Sequence, residues 1–441
     1  MREKIPVPPH VPTERNWREW CPKAASHVRR PLVPTVASRD CSSSRRKDAI
    51  PDSSAHPHSE TFAVTDRGAG DALSPTHLRV LLTHDWIVAW GGAERTVEQI
   101  LQVFPQADLV VGVLGRANAD LNSVTRRARE TWLARLPFAR SHHRWFLPLY
   151  PAAFASLDTR GYDLVISSSS AFAKSVRAPA GVPHVCYCHS PPRYLWGMQE
   201  QYRLSSERAG RALSLAGPML RRVDRGSAHG VDQFIANSSC VADRIRSAYG
   251  RESAVVYPPV VAKPTSGQRG NRTDAFLVLS RLVPYKRVDL AISAANLTGA
   301  RLVIAGDGPE RARLQAMAGA SVTFVGEVSE VQAGNLMEQS RAMLFCGEED
   351  FGIAPVEANA HGLPVVAYRR GGTTESLREE ISAVFFDDPV PEAVADAMQR
   401  VTGVPWSDAA IRENAERFSA HQFRTEFARI ALMALALRNA T

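Results

Sequence analysis

From Leu78 onward, short aliphatic runs alternate with helix-length segments: LRVLLTHD precedes GGAERTVEQILQVF, and ADLVVGVLG, DLVISSSS, PHVCYCH and QFIANSS continue the series. Near-continuous apolar runs are what strands buried on both faces leave in a sequence, and the segments between them have the length of crossover helices. The alternation predicts βαβ units feeding a mostly parallel sheet. A stretch rich in Pro, Gly and Ser with mixed charge, YPPVVAKPTSGQRGNRTD at 257–274, interrupts the pattern, which then restarts with AFLVLSR, ARLVIAGDG, SVTFVGE, AMLFCGEED, LPVVAY and AVFFDD. Two doubly wound, Rossmann-like α/β domains are expected, one over 78–263 and one over 264–420, facing across a cleft with ligands at the carboxyl ends of the strands. The segment HQFRTEFARIALMALAL (421–437) reads as a helix, apolar all round in its second half and therefore buried.

Residues 1–77 lack this texture. Stretches such as CSSSRRKDAIPDSSAHPHSE mix Pro, Ser, Arg and His with few aliphatics and cannot bury enough surface to offset chain entropy, so a disordered extension is expected. The chain has 441 residues, 44% hydrophobic and 22% charged, enough for two or three domains at about 150 residues each. Collagen-like, coiled-coil and wholly disordered classes are excluded. No apolar stretch reaches the ~18 to 20 residues of a membrane span, and MREKIPVPPH lacks the apolar core of a secretory signal, so the expected place of work is the cytoplasm. Six cysteines, at 21, 41, 186, 188, 240 and 346, read as free thiols.

Charge changes the picture in two ways. The net +8 divides into about +3 for the tail, about +9 for 78–263 and about −4 for the remainder, which points the first domain toward anionic partners. Arginines outnumber lysines 47 to 6, so arginine is the default cation and a lysine at a motif position is the more informative residue.

Four segments at strand ends carry candidate chemistry. In CGEEDFGIAPVEANAHG (346–362), a strand ends in an acidic loop and a helix starts near Ile353. Glu349 and Glu357 can both face the cleft, where carboxylates suit bidentate bonding to sugar hydroxyls, while the N–H groups of Phe351, Gly352 and Ile353 form an anion site. Alternatively, both glutamates are solvated surface residues. In SRLVPYKR (280–287), Arg281 and Lys286 flank a proline in a loop that could aim both cations at one diphosphate, or both are solvated strand-end cations. In HDWIVAWGGAE (84–94), Gly91 and Gly92 precede a helix and let backbone approach phosphate. There is no third glycine in register for a dinucleotide fingerprint and no GxxxxGK[ST], which weakens the dehydrogenase and P-loop readings. In HSPPRYLW (189–196), prolines stop the strand and leave His189 to reach a ligand or to bond a loop carbonyl. Cys186, Cys188 and His189 make at most three ligands in poor geometry, so no metal site is expected. Finally, RRARETWLARLPFARSHHRWFLPLYPAAF (126–154) interleaves arginines with aromatics. It reads either as a face for an anionic membrane or lipid-linked acceptor, or as a helix with a core stripe and solvated arginines. No pattern supports nucleic acid.

Together these segments resemble glycosyltransferases of the GT-B fold, specifically the large retaining family 4, over residues 78 to the C-terminus. EEDFGIAPVEANAHGLPVV matches that family's E-x7-E segment, with SRLVPYKR, AGDGPE and FVGE before it in the family's order. GGAE, SSSSAFAKS and CYCHSPPRYLW look most like a bacterial subgroup containing mannosyltransferases of O-antigen and related polysaccharide assembly. The resemblance implies that Arg281 and Lys286 bind the donor diphosphate, Glu357 the ribose hydroxyls and Glu349 the transferred sugar. It puts Asp307 and Gly308, in the loop 306–309, and the strand 324–326 near the nucleoside. It puts Gly91 and Gly92 near the phosphates and His189 beside the donor sugar. It further implies retention of configuration, no cofactor beyond the nucleotide-sugar substrate, and a C-terminal helix, 421–441, that crosses back to the first domain. The expected activity is transfer of a hexose, mannose from GDP-mannose, to a lipid-linked or glycan acceptor, with a place in the cytoplasm or on the inner face of the plasma membrane. Two alternatives stay open: a UDP-sugar or rhamnosyl-type donor on the same fold, and a non-catalytic basic membrane or polysaccharide-binding protein.

Overall fold

A computed structural model of the protein describes residues 77–115, 122–197, 207–261 and 272–439. The tail expected from the sequence, save His77, lies outside them, as does most of the link at 262–271. Most of the aliphatic runs become strands buried on both faces, while the edge strands at 253–255 and 322–326 are only half-buried. β1 (Val80–His84), β2 (Asp108–Val111), β3 (Arg129–Glu130), β4 (Leu164–Ser169), β5 (His184–Cys188), β6 (Gln233–Ala236) and β7 (Ser253–Val255) form one parallel sheet in the order 3-2-1-4-5-6-7. β8 (Phe276–Leu279), β9 (Leu302–Ala305), β10 (Val322–Gly326), β11 (Met343–Phe345), β12 (Val365–Tyr368) and β13 (Ala383–Phe386) form a second in the order 10-9-8-11-12-13. All pairs in both sheets are parallel, with His84 in register with Ser168 and Met343 with Leu277.

The strand order decides where a ligand can bind. In the first sheet the chain winds outward from β1 to β3 and then restarts on the other side at β4, and the second sheet repeats this at β8 and β11. The loops leaving these two strand pairs diverge to opposite faces and open a crevice at the carboxyl ends. Those loops begin at Asp85, Ser170, Ser280 and Cys346; three of them carry segments the sequence put forward, whereas the fourth such segment, at His189, leaves β5 instead of β4.

The helix Ala420–Asn439 packs against the first sheet: Phe423, Phe427, Ile430 and Ala431 share a core with Val80, Leu82, Ile100 and Tyr187. Arg424 donates to Gln99 and Gln102 of the helix Gly92–Val103 at 2.5 and 2.9 Å. The second half of this helix is not buried all round, since Met433 and Leu437 are exposed. A helix lying against one layer buries a single stripe, here 423, 427, 430, 431 and 435. The chain ends of the two halves run side by side, with the Val260 N–H donating to the Phe418 carbonyl at 2.8 Å.

The stretch 126–154 is not one helix. It is broken into the turn of helix Ser123–Arg127, two 3-10 segments (Trp132–Arg135 and His143–Leu149) and the helix Tyr150–Ala155. Pro137 and Pro148 break longer repeats. Leu133, Tyr150 and Phe154 are core, whereas Trp132, Phe138, Trp145 and Leu149 are exposed. No helix among the described residues is long and apolar enough to cross a membrane.

Candidate active site at the facing strand ends

Two glycine-permitted contacts fold the loops of the second half onto each other. A Cβ on Gly347 would lie 2.7 Å from the Tyr285 carbonyl oxygen and 2.9 Å from Lys286 Cα. The absence of that atom lets the β8 and β11 loops close and brings Lys286 Nζ to 2.6 Å from Glu349 Oε1. Likewise Gly306, at φ +129°, and Gly308 lie against the Ser280 and Leu282 carbonyls, so the β9 loop rests on the β8 loop. Asp307 accepts the Gly308 N–H and an Arg311 N–H, both at 2.6 Å, and these hold its carboxyl below its ordinary range. Arg281 is exposed and forms no ion pair with a described residue. Its charge reaches the first half: burial, then Arg144 and Arg281, lower His143 to about 4.

The acidic loop is held from behind. Gly372 N–H donates to the Glu349 carbonyl at 2.8 Å, and Phe351 is buried against Tyr257 and Phe418, with centroids 5.5 and 5.1 Å away. Gly352, at φ +85°, turns the chain into the helix Ile353–Ala360. The N–H groups of Phe351, Gly352 and Ile353 donate to no other described residue, leaving an uncommitted set of donors at a helix N-terminus. Gly92 of the first half lies over this end, where its missing Cβ would sit 2.4 Å from Ile353 Cδ1. Gly91 N–H is taken by Glu94 at 2.9 Å.

Charge complementarity joins the halves. Arg193, four residues past His189, holds Asp350 at 2.5 Å and reaches Glu349 at 3.9 Å. Arg244 pairs with Asp350 and lies 3.6 Å from Glu348. Arg95 pairs with Glu357 and, at 2.6 Å, with Glu330. Glu375 accepts the Ser239 and Cys240 N–H groups at 2.8 and 3.0 Å. Thus Glu349 and Glu357 are not solvated surface residues: each faces the cleft engaged by a cation, Lys286 for one and Arg95 for the other. Lys286 and Arg281, expected as a pair, differ: one is matched by a carboxylate and the other pairs with no described residue. Sequence reasoning missed Arg95, Arg193 and Arg244, although Arg95 directly follows GGAE and Arg193 ends HSPPR.

The first half contributes a buried polar floor. Asp85 accepts four backbone N–H groups, Ser170 to Ala173, at 2.6–2.8 Å, which fixes the loop after β4. His189 and His84 both meet the Ser168 hydroxyl, at 2.8 and 3.0 Å. Behind them Lys174 and Asp224 form a fully buried pair at 2.6 Å, and Asp224 also accepts Trp196 Nε1 and the Tyr249 hydroxyl. Cys186 and Cys188 are buried free thiols, the first pushed by burial up to about 12. Among the described residues no group of three or more His, Cys, Asp or Glu could hold a metal.

Comparison with known proteins follows the two halves. Residues 90–263 match the family described as Glycosyltransferase Family 4, and residues 264–418 match Glycosyl transferases group 1. The GDP-mannose-dependent alpha-(1-6)-phosphatidylinositol monomannoside mannosyltransferase of Mycobacterium tuberculosis is 30% identical over 212 residues, 41% of this chain and 55% of that protein. The corresponding dimannoside mannosyltransferase is 38% identical over 133 residues, 28% of this chain and 34% of that protein. The chain thus spans about half the length, or less, of these curated relatives. Among solved structures, HepE of Anabaena with UDP and glucose superposes with a TM-score of 0.59 at 19% identity, covering 80% of this chain and 99% of that one. Sucrose-phosphate synthase of Thermosynechococcus elongatus gives 0.62 at 16% identity, covering 81% and 100%. These likenesses concern the fold.

Proposed function

The chain belongs to glycosyltransferase family 4 of the GT-B fold, and on that premise we propose that it transfers a hexose, mannose from GDP-mannose, to a lipid-linked or glycan acceptor of the cell envelope. The observation that carries the reading is Lys286 at 2.6 Å from Glu349, beside the N–H groups of 351–353 that no described residue takes up, with Arg281 exposed on the same β8 loop as Lys286. Departure of a nucleoside diphosphate develops negative charge, and fixed cations with helix-end donors in a recessed site stabilise it without reorganising. With two side-chain cations in that role, no metal is invoked. Glu349, held by Lys286 and approached by Arg193, is the carboxylate for the transferred sugar. The reaction we infer retains configuration: the acceptor hydroxyl attacks on the face the phosphate leaves, and the departing phosphate oxygen takes the hydroxyl proton. Exposed Trp132, Phe138, Trp145 and Leu149 beside Arg135 and Arg144 support a lipid-linked acceptor presented at a membrane. The mannose donor rests on the two mycobacterial relatives, named as GDP-mannose-dependent.

The test is nucleotide-dependent thermal stabilisation of the full chain with GDP, UDP, GDP-mannose and UDP-glucose, with and without chelator. A binder at about 100 times its Kd should add ~2.7 kcal/mol. A GDP-selective, chelator-insensitive shift lost in Lys286→Ala is the expected result. A UDP-selective shift would move the donor to a UDP-sugar, and no shift with any nucleotide would favour a non-catalytic binding protein.

A further inference from the structure

Behind His189 lies a line of polar groups that the transfer reaction as described does not use. Glu94 Oε1 is 3.8 Å from His84 Nε2, and Glu94 is itself anchored by the Gly91 N–H. His84 Nδ1 lies 3.2 Å from the Ser168 carbonyl oxygen and 3.0 Å from its hydroxyl. The Ser168 hydroxyl lies 2.8 Å from His189 Nε2. His84, Ser168 and Glu94 come from β1, β4 and the glycine-led helix, so three elements meet at one imidazole. The His189 ring is further packed edge-on by Tyr187, 5.2 Å away, and its backbone is fixed by the main-chain N–H donating to the Ser169 carbonyl at 2.9 Å.

Hydrogen-bond direction follows from the chemistry of these atoms. A carbonyl oxygen only accepts, so His84 Nδ1 carries a proton and donates to Ser168. The Ser168 hydroxyl, receiving from His84, has His189 Nε2 at 2.8 Å as the acceptor for its own proton, with no other acceptor among the described residues. That nitrogen is then an acceptor, and the ring proton of neutral His189 resides on Nδ1. The surroundings keep the two rings in different states. Although burial opposes it, Glu94 and Asp85 raise His84, whereas burial and the charge of His84 lower His189 to about 3. His189 Nδ1 hydrogen-bonds to no described residue.

We propose that Glu94, His84 and Ser168 are positioning residues that hold His189 as a neutral ring protonated on Nδ1, so that it meets the donor nucleotide-sugar as a hydrogen-bond donor and never as a base. The substrate in this statement rests on the transferase reading; the tautomer does not. A donor at this place suits a hydroxyl or phosphoryl oxygen whose negative character grows as the leaving group departs.

The experiment has two arms. Long-range 1H–15N spectra of the full chain labelled at histidine, with His189 identified by its loss in His189→Asn, report the tautomer directly. The expected result is an Nδ1-protonated, neutral His189 from pH 5 to 8, giving way to a mixture in Ser168→Ala and preserved in Ser168→Thr. An Nε2-protonated ring, or one that titrates between pH 6 and 7, would overturn the proposal whether or not the protein transfers sugar. In the kinetic arm, an asparagine amide reaches the place of Nδ1 and a glutamine amide the place of Nε2. His189→Asn should keep at least ten times the kcat of His189→Gln, and Ser168→Ala should lower kcat about tenfold with little change in KM, with Ser168→Thr restoring it. Equal losses in the two His189 variants would refute the donor role, and wild-type inactivity with every nucleotide-sugar would count against the transferase reading while leaving the tautomer decided by the spectra.

Discussion

Arg95, in the first turn of the helix that follows Gly91 and Gly92, is bound to Glu357 of the facing half, 262 residues away in sequence. The carboxylate that the family resemblance commits to ribose hydroxyls is thereby occupied by a cation from the glycine loop's own helix. Glu330 holds the same guanidinium from its other side at 2.6 Å. This pair and a bound nucleoside would compete for one carboxylate. Arg95→Ala should therefore tighten nucleoside diphosphate binding about fivefold, a coupling of ~1 kcal/mol. Titration calorimetry with GDP and UDP checks this, and weaker binding in the variant would mean that Arg95 assists the ligand.

Lys286 serves two partners in the proposed cycle, Glu349 now and the diphosphate on binding. Lys286→Ala should lower kcat/KM about 10²-fold or more, the usual scale for losing one fixed donor at a developing charge. Glu349→Gln should lower it too, while nucleotide binding persists. Steady-state transfer assays set beside nucleotide binding separate the two roles.

The buried pair of Lys174 and Asp224 makes a stability prediction independent of function. Both are almost fully buried, and Asp224 serves Trp196 and Tyr249 as well. Lys174→Met leaves a buried carboxylate without its countercharge and should cost about 3–5 kcal/mol. Asp224→Asn in the Lys174→Met background should recover part of that loss. Urea denaturation of the single and double variants provides the measurement.

His184 is buried between the Ser167 hydroxyl at 2.8 Å and the Gly230 carbonyl at 3.1 Å, and burial lowers it to about 4 from 6.5. A histidine depressed in the folded state contributes stability above its unfolded value, and that contribution is lost as pH falls toward the folded value. Between pH 6.5 and 4 the loss should reach about 3 kcal/mol. The stability of His184→Gln should fall less steeply over this window; an unchanged slope in urea denaturation would reject the assignment.

Much of this arrangement was legible in local pattern. Apolar runs such as LRVLLTHD and AMLF announce strands, and Gly352 before Ile353 announces a helix start, because these depend on neighbours in sequence. One lysine also stood out: in an arginine-rich chain Lys286 was the motif cation to watch, whereas Lys174, the other lysine within the described residues, went unnoticed although it too is matched to a carboxylate. Arg95, Arg193 and Arg244 were hidden by the same composition, since one arginine among 47 carries little signal. Their partners lie 262, 157 and 106 residues away, set by how the halves meet and not by spacing. The stretch 126–154 misled for a different reason: its proline spacing permits only short turns, so its alternation of arginine and aromatic follows no single helical period.

The helix Ala420–Asn439 has a consequence for how the protein is made. Phe423, Phe427, Ile430 and Ala431 complete the core around Val80 and Leu82, so the half synthesised first stays unfinished until residues 420–439 have left the ribosome. Closing so long a loop adds only about 0.6 kcal/mol for each doubling of its length, but contacts this distant in sequence slow folding. During that delay the apolar surface around Ile100 and Tyr187 is open to chaperones, and a nonsense mutation within the second half, before residue 420, would leave the first half's core incomplete.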